Sequence, residues 1–246
     1  AVVASACSLP GSNGGDLDSG VVVTPASSQD EGDGSTQATM ADQEASPWVD
    51  ASTRAIVSNG PLPVFEAPDG GPILTLNPTT DFGTTRVLLV EDERDGWLKV
   101  RLPMRPNHQS GWIPASSVET EELDIKVYVD LADRELTVVQ GDDIVIQTPV
   151  AIGTAENPTP TGTFSITDKL ATPDASGGYG PFALGLSGYS ETLTEFAGGD
   201  GQVGIHGTND PASIGQAASH GCIRVPNEIV EQLADLLPLG TPVHVV

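Results

Sequence analysis

The stretch LDIKVYVDLADRELTVVQGDDIVIQTPVAIG, residues 123–153, decides the fold class. Ile125, Val127, Val129 and Leu131 alternate with Lys126, Tyr128 and Asp130, the period of two that puts successive side chains on opposite faces of a strand. Ala132-Asp133-Arg134 supplies a turn, Leu136-Thr137-Val138-Val139 returns, and Gly141-Asp142-Asp143 turns again before a third strand over residues 144–152. Strands joined so closely pair antiparallel, so a meander is expected.

Toward the carboxy end one helix is expected. Asn227 is a suitable N-cap, Ile229, Val230, Leu233, Leu236 and Leu237 fall on one face, and Pro238 and Gly240 stop the pattern. Residues 243–246 then form a last strand, edge or central. Between meander and helix, residues 171–201 are rich in Gly and carry Tyr179, Phe182, Tyr189 and Phe196 without a clear period. A loop of that length inside a compact domain is expected to be a lid. Tyr179 and Tyr189 are its candidate substrate contacts, with core packing as the alternative.

Upstream, short apolar runs at 56–57, 64–65, 73–74, 87–90 and 97–102 are separated by Asn59-Gly60-Pro61, Pro68-Asp69-Gly70-Gly71 and Asp95-Gly96. Closely spaced strands with such punctuation predict a small barrel or sandwich over residues 51–119. Its close, DGWLKVRLPMRPNHQSGWIPASSVE (95–119), resembles a bacterial SH3-like domain. Trp97 and Trp112 are either its core or an aromatic binding face. The acidic run Glu119-Thr120-Glu121-Glu122 marks a boundary, after which the second domain occupies residues 123–246.

Residues 1–50 carry eight acids and no Lys or Arg among Gly, Ser, Thr and Pro. That composition cannot bury enough apolar surface to offset chain entropy, so a disordered tether is expected. Ala4-Ser5-Ala6-Cys7 reads as the end of an export signal. In one reading it is a lipoprotein box with Cys7 as the lipidated residue; in the other it is a plain signal-peptidase site. Both imply export to a bacterial envelope, with membrane contact only through the lipid.

Lys and Arg number 10 against 34 Asp and Glu, a net charge of −24, which argues against nucleic-acid binding. No apolar run approaches the ~18 residues of a membrane-spanning helix. The only cysteines, Cys7 and Cys222, lie far apart, so each is explained separately.

The chemistry concentrates in GQVGIHGTNDPASIGQAASHGCIRV, residues 201–225. A thiol is mostly protonated at neutral pH, and an imidazole within reach can take its proton while positive charge steadies the anion. His206, His220, Cys222 and Arg224 offer that set. His206 precedes Cys222 by 16 residues, whereas papain-type hydrolases place the nucleophile first.

His206-Gly207-Thr208-Asn209 followed by Ser219-His220-Gly221-Cys222-Ile223-Arg224-Val225 resembles the signature of L,D-transpeptidase catalytic domains of the YkuD type. Pro158-Thr159-Pro160-Thr161-Gly162-Thr163-Phe164 resembles the same family's upstream segment. The resemblance implies a mainly β protein: an SH3-like barrel, then a β-rich catalytic domain with one packed C-terminal helix. It implies Cys222 as nucleophile toward a peptidoglycan stem tetrapeptide and His206 as general base. The product would be a 3→3 cross-link, with no metal and no cofactor, and carbapenem-type β-lactams would acylate Cys222. L,D-carboxypeptidase activity and protein-to-wall attachment use the same site.

Around that pair, Gly221 allows close approach of backbone to substrate, and the Gly221 and Cys222 N–H groups are a candidate oxyanion hole. Arg224 either binds a stem carboxylate or makes an internal salt bridge. His220 either orients the site or is satisfied by backbone. Ser219 is a candidate substrate contact or a local backbone hydrogen-bonder. Two other classes stay open: a zinc-dependent wall hydrolase using His206, His220 and Cys222, and a non-enzymatic peptidoglycan-binding adaptor.

Overall fold

The computed structural model describes residues 21–22, 52–57, 60–195 and 199–246. Cys7, the expected export signal and most of the expected tether fall outside them, as does Phe196.

Two eight-stranded sheets account for most of the described chain. The first contains β1 (Val21–Val22), β2 (Thr53–Ile56), β3 (Leu62–Phe65), β4 (Pro72–Leu76), β5 (Val87–Arg94), β6 (Trp97–Arg101), β7 (Ser110–Pro114) and β8 (Glu119–Glu122). Their order is β1-β4-β3-β7-β6-β5-β2-β8, and the pairings are antiparallel. Leu98 and Val100 of β6 point into a core with Leu62, Val64, Leu76, Leu88 and Ile113, as the alternation requires. On the opposite face Trp97 stands edge-on to Phe65 at 5.0 Å, and Arg94 lies over the buried Trp112 ring at 5.3 Å.

The second sheet contains β9 (Ile125–Asp130), β10 (Glu135–Gln140), β11 (Asp143–Pro149), β13 (Gly162–Ala171), β14 (Phe182–Tyr189), β15 (Gln202–His206), β17 (Ile223–Arg224) and β18 (Pro242–Val245). The order is β11-β10-β9-β18-β13-β14-β15-β17. A two-stranded pair, β12 (Ile152–Gly153) with β16 (Ala217–Ser219), stands apart from it. The meander is present as β9, β10 and β11. The last strand is central: β18 runs parallel to β9 and antiparallel to β13. Its Val243 and Val245 are fully buried.

Three expectations are corrected. The third strand does not continue to residue 152, because Pro149 brings no N–H to the ladder. Beyond it Val150 donates to Arg134 O, Ala151 exchanges hydrogen bonds with Arg224, and β12 pairs with β16. Residues 171–201 are not one loop, since β14 runs through them. Both faces of β14 are covered, so its residues are buried in succession and show no period of two. Its Gly188 is a packing device, since a Cβ there would lie 2.5 Å from Cε1 of the Phe164 ring.

The third correction concerns α1, which spans Asn227–Leu236. Val230, Leu233 and Ala234 are buried, with Ile229 and Leu236 packed beside them, as the spacing predicts. Asn227 is the first helical residue rather than the N-cap, a position taken by Pro226 without a side-chain cap.

The two sheets are locked together by polar contacts. Asn107 forms a reciprocal pair with the Tyr189 backbone: its Nδ2 donates to Tyr189 O at 2.8 Å, and its Oδ1 accepts from Tyr189 N–H at 2.9 Å. The Tyr189 hydroxyl donates to Pro103 O at 3.1 Å. Arg105 lies over the Tyr189 ring at 4.7 Å and donates to Ser190 O and Leu193 O, each at 3.1 Å. Thr80 Oγ1 donates to Asp168 Oδ1 at 2.6 Å.

Gly188→Ala should lower stability by about 1–3 kcal/mol, since the new methyl meets a ring packed in the core. Gly71→Ala, where a Cβ meets nothing within 4 Å, is the control and should be nearly neutral in urea unfolding.

Candidate active site

Of the catalytic residues expected from the sequence, His206 ends β15, and Cys222 immediately precedes β17, which pairs parallel with β15. In the β15–β17 pair Ile205 faces Ile223 and His206 faces Arg224. Side chains of facing residues lie on one side of a sheet, and so do residues two apart along a strand. His206 and Arg224 therefore share one face.

The imidazole is 1% exposed. Its Nδ1 lies 2.6 Å from Gly207 O. A carbonyl can only accept, so Nδ1 carries the proton and Nε2 is the basic nitrogen. The Tyr179 ring stands 4.7 Å from the imidazole, tilted by 54°. Burial pushes the His206 pKa down to about 4; the hydrogen bond to Gly207 O opposes the shift and the Arg224 guanidinium adds to it. The ring is thus neutral at neutral pH, the form a general base requires.

Cys222 is 2% exposed and disulfide-bonded. Reduction releases its thiol.

The turn before Cys222 is closed by Ser219. Its buried hydroxyl donates to Cys222 O at 2.5 Å and accepts from Gly221 N–H at 3.1 Å. Ser219 therefore shapes the turn instead of facing substrate. The Gly221 N–H is spent on the same oxygen, which removes one donor of the expected oxyanion hole. Gly221 itself has φ +120°, a conformation that disfavours any side chain. His220 is half-buried between them.

Arg224 is 6% exposed. Among the described residues it makes no ion pair within 4 Å, and its Nε is buried without a hydrogen-bond partner. The internal salt bridge weighed from the sequence is absent there. Burial lowers its pKa, against the attraction of Asp210 and Tyr179. The result is a cation set among the reacting groups.

Of the two candidate lid tyrosines, only Tyr179 reaches the site. Tyr189 is occupied by Pro103, Arg105 and Asn107 of the first sheet, and burial pushes its hydroxyl pKa up.

Sequence reading missed the supports. Gly153 N–H donates to Thr159 Oγ1 at 2.9 Å, and a Cβ on Gly153 would lie 2.3 Å from Asn157 O. Thr154 N–H donates to Ser219 O at 3.0 Å. The Pro158-Thr159-Pro160 segment is thereby folded onto the catalytic turn, with Pro158 O 3.4 Å from where a Gly221 Cβ would stand. That motif was visible in the sequence; its use as a brace was not. Among the described residues no group of three or more His, Cys, Asp or Glu is placed to hold a metal ion.

The YkuD family, the L,D-transpeptidase catalytic domain, matches residues 124–245. A Bacillus licheniformis protein provisionally designated L,D-transpeptidase YkuD is 35% identical over 125 residues, which cover 51% of this chain and 67% of the relative. Its provisionally designated namesake in Bacillus subtilis is 32% identical over 150 residues, covering 58% and 83%. Among solved structures, the LD transpeptidase LdtMt1 in complex with imipenem is 15% identical with a TM-score of 0.45, covering 80% of this chain and 99% of that one. A mainly β chain that matches the family over residues 124–245, and is 32% identical to a relative over 83% of that relative's length, belongs to the YkuD family of L,D-transpeptidases.

Proposed function

We propose that the protein is a peptidoglycan L,D-transpeptidase forming 3→3 cross-links. The observation that carries this reading is the parallel pairing of β15 with β17, which sets buried His206 at the end of one strand and buried Cys222 just before the other, with His206 in the tautomer that leaves Nε2 basic. His206 Nε2 takes the Cys222 proton, and Sγ attacks the carbonyl carbon of the third stem residue. The tetrahedral intermediate collapses as His206 returns the proton to the departing D-Ala amine, leaving a thioester. An amine from a second stem attacks the thioester, gives its proton to His206, and expels the thiolate. Water in place of the amine yields a carboxypeptidase product.

Arg224 favours this sequence electrostatically. A guanidinium beside both groups keeps the imidazole neutral and lowers the cost of the thiolate. The same chemistry makes carbapenem-type β-lactams acylating agents for Cys222. Export of the reduced chain with a lipid on Cys7, and an acidic tether carrying the SH3-like unit and catalytic domain toward the wall, complete the proposal.

Reduced protein incubated with disaccharide-tetrapeptide should yield a dimer lacking one D-Ala by mass spectrometry. Tripeptide alone would mean hydrolysis, and unchanged substrate would overturn the proposal. Cys222→Ala should abolish the carbapenem adduct, while Arg224→Gln should retain it but slow its formation near neutral pH by about tenfold, through loss of the stabilising cation.

The buried imidazole also sets a pH dependence of stability. Above its ordinary value of 6.5 His206 is neutral in both folded and unfolded chains, and between 6.5 and about 4 only the unfolded chain takes the proton. Stability is therefore lost as pH falls through that window, by on the order of 2–3 kcal/mol. The difference between wild type and His206→Gln in urea midpoints across the window should isolate this contribution.

A further inference from the structure

Asn227 does not cap α1, and its side chain is turned instead toward the catalytic strand. Its Oδ1 accepts from Thr208 N–H at 2.7 Å. That N–H belongs to the peptide unit whose carbonyl is Gly207 O, the acceptor for His206 Nδ1 at 2.6 Å. A peptide unit is planar and trans, so fixing its N–H fixes the direction of its carbonyl. One rigid plane thus joins the start of α1 to the imidazole.

The surroundings are cut to fit this contact. A Cβ on Gly207 or on Gly180 would lie 2.3 Å from Asn227 Oδ1. The two backbones also press together, a Gly207 Cβ falling 3.0 Å from Gly180 Cα. Gly207 N–H donates to Phe182 O at 3.3 Å, which ties the other side of the residue to β14. Two glycines clear the space that a single amide oxygen occupies.

We propose that Asn227 is a positioning residue that sets the tautomer and orientation of His206 through the 207–208 peptide. This inference rests on the reading of His206 as the general base. If Oδ1 is removed, the 207–208 peptide can rotate, Nδ1 loses a fixed acceptor, and the proton can move to Nε2, where it blocks abstraction of the thiol proton. The groups that also act on the imidazole are the Tyr179 ring from the connection before β14 and Arg224 from β17. Asp210 acts on Arg224. None of these changes in the test.

The test uses the full reduced chain with two variants. Asn227→Ala removes the acceptor, while Asn227→Asp keeps an oxygen in place. In Asn227→Ala the rate of Cys222 alkylation near neutral pH should fall at least about tenfold, with kcat reduced more than KM and the pH profile displaced. Asn227→Asp should restore most of the rate. Nitrogen NMR of His206 reads the tautomer without any substrate and should show Nδ1–H in wild type and Asn227→Asp, and a mixture in Asn227→Ala. If Asn227→Ala fails to fold, Gly180→Ala, which pushes a methyl at Oδ1, should give the same tautomer mixture. An unchanged tautomer and unchanged pH profile in a folded variant would overturn the inference, as would an Asn227→Asp protein as slow as Asn227→Ala. A tautomer shift seen alongside a failure to cross-link stem peptides would leave Asn227's role standing and refute the substrate assignment.

Discussion

The parallel pairing of β15 with β17 is the constraint on which the site depends. Parallel neighbours cannot be joined by a tight hairpin, so the chain between His206 and Ile223 must loop out and return in the same direction. The return leg is held by β16 on β12 and by the hydroxyl of Ser219, which closes the turn onto Cys222. The segments carrying His206 and Cys222, 16 positions apart, are thereby brought side by side. A slip of register by one residue would send Arg224 to the opposite side from His206.

Burial gives the site its chemistry at a cost. An imidazole enclosed this fully is held neutral, which suits a base but makes its protonated form unfavourable until a thiolate stands beside it. Arg224 would serve the thiolate in the same way, and it works against the imidazolium. Among the described residues the imidazole is thus acted on by Gly207 O and Arg224 and not by a carboxylate. That difference from an acid-supported histidine places the burden of orientation on backbone, and backbone direction on whatever holds the peptide.

The first sheet is more than a spacer. Its 103–107 segment grips Tyr189 and the residues after it, and these lead into β15. Thr192 Oγ1 in turn donates to Asn157 Oδ1 at 3.1 Å, next to the Pro158-Thr159-Pro160 brace. A continuous set of contacts thus runs from the amino-terminal unit to the wall of the site.

Local pattern was enough to determine the meander, the buried face of α1 and the mainly β class. Each depends on periodicity or on residue chemistry carried by neighbours in the chain. Tertiary structure alone decided the rest: β14 inside a glycine-rich stretch, the departure of the chain from the ladder after Pro149, Tyr189 given to the first sheet and Tyr179 to His206, and Asn227 turned from capping to the 207–208 peptide. A strand covered on both faces has no alternation to read. A polar side chain such as that of Asn227 can satisfy a local or a distant backbone group equally well, and only the packing of the whole chain selects between them.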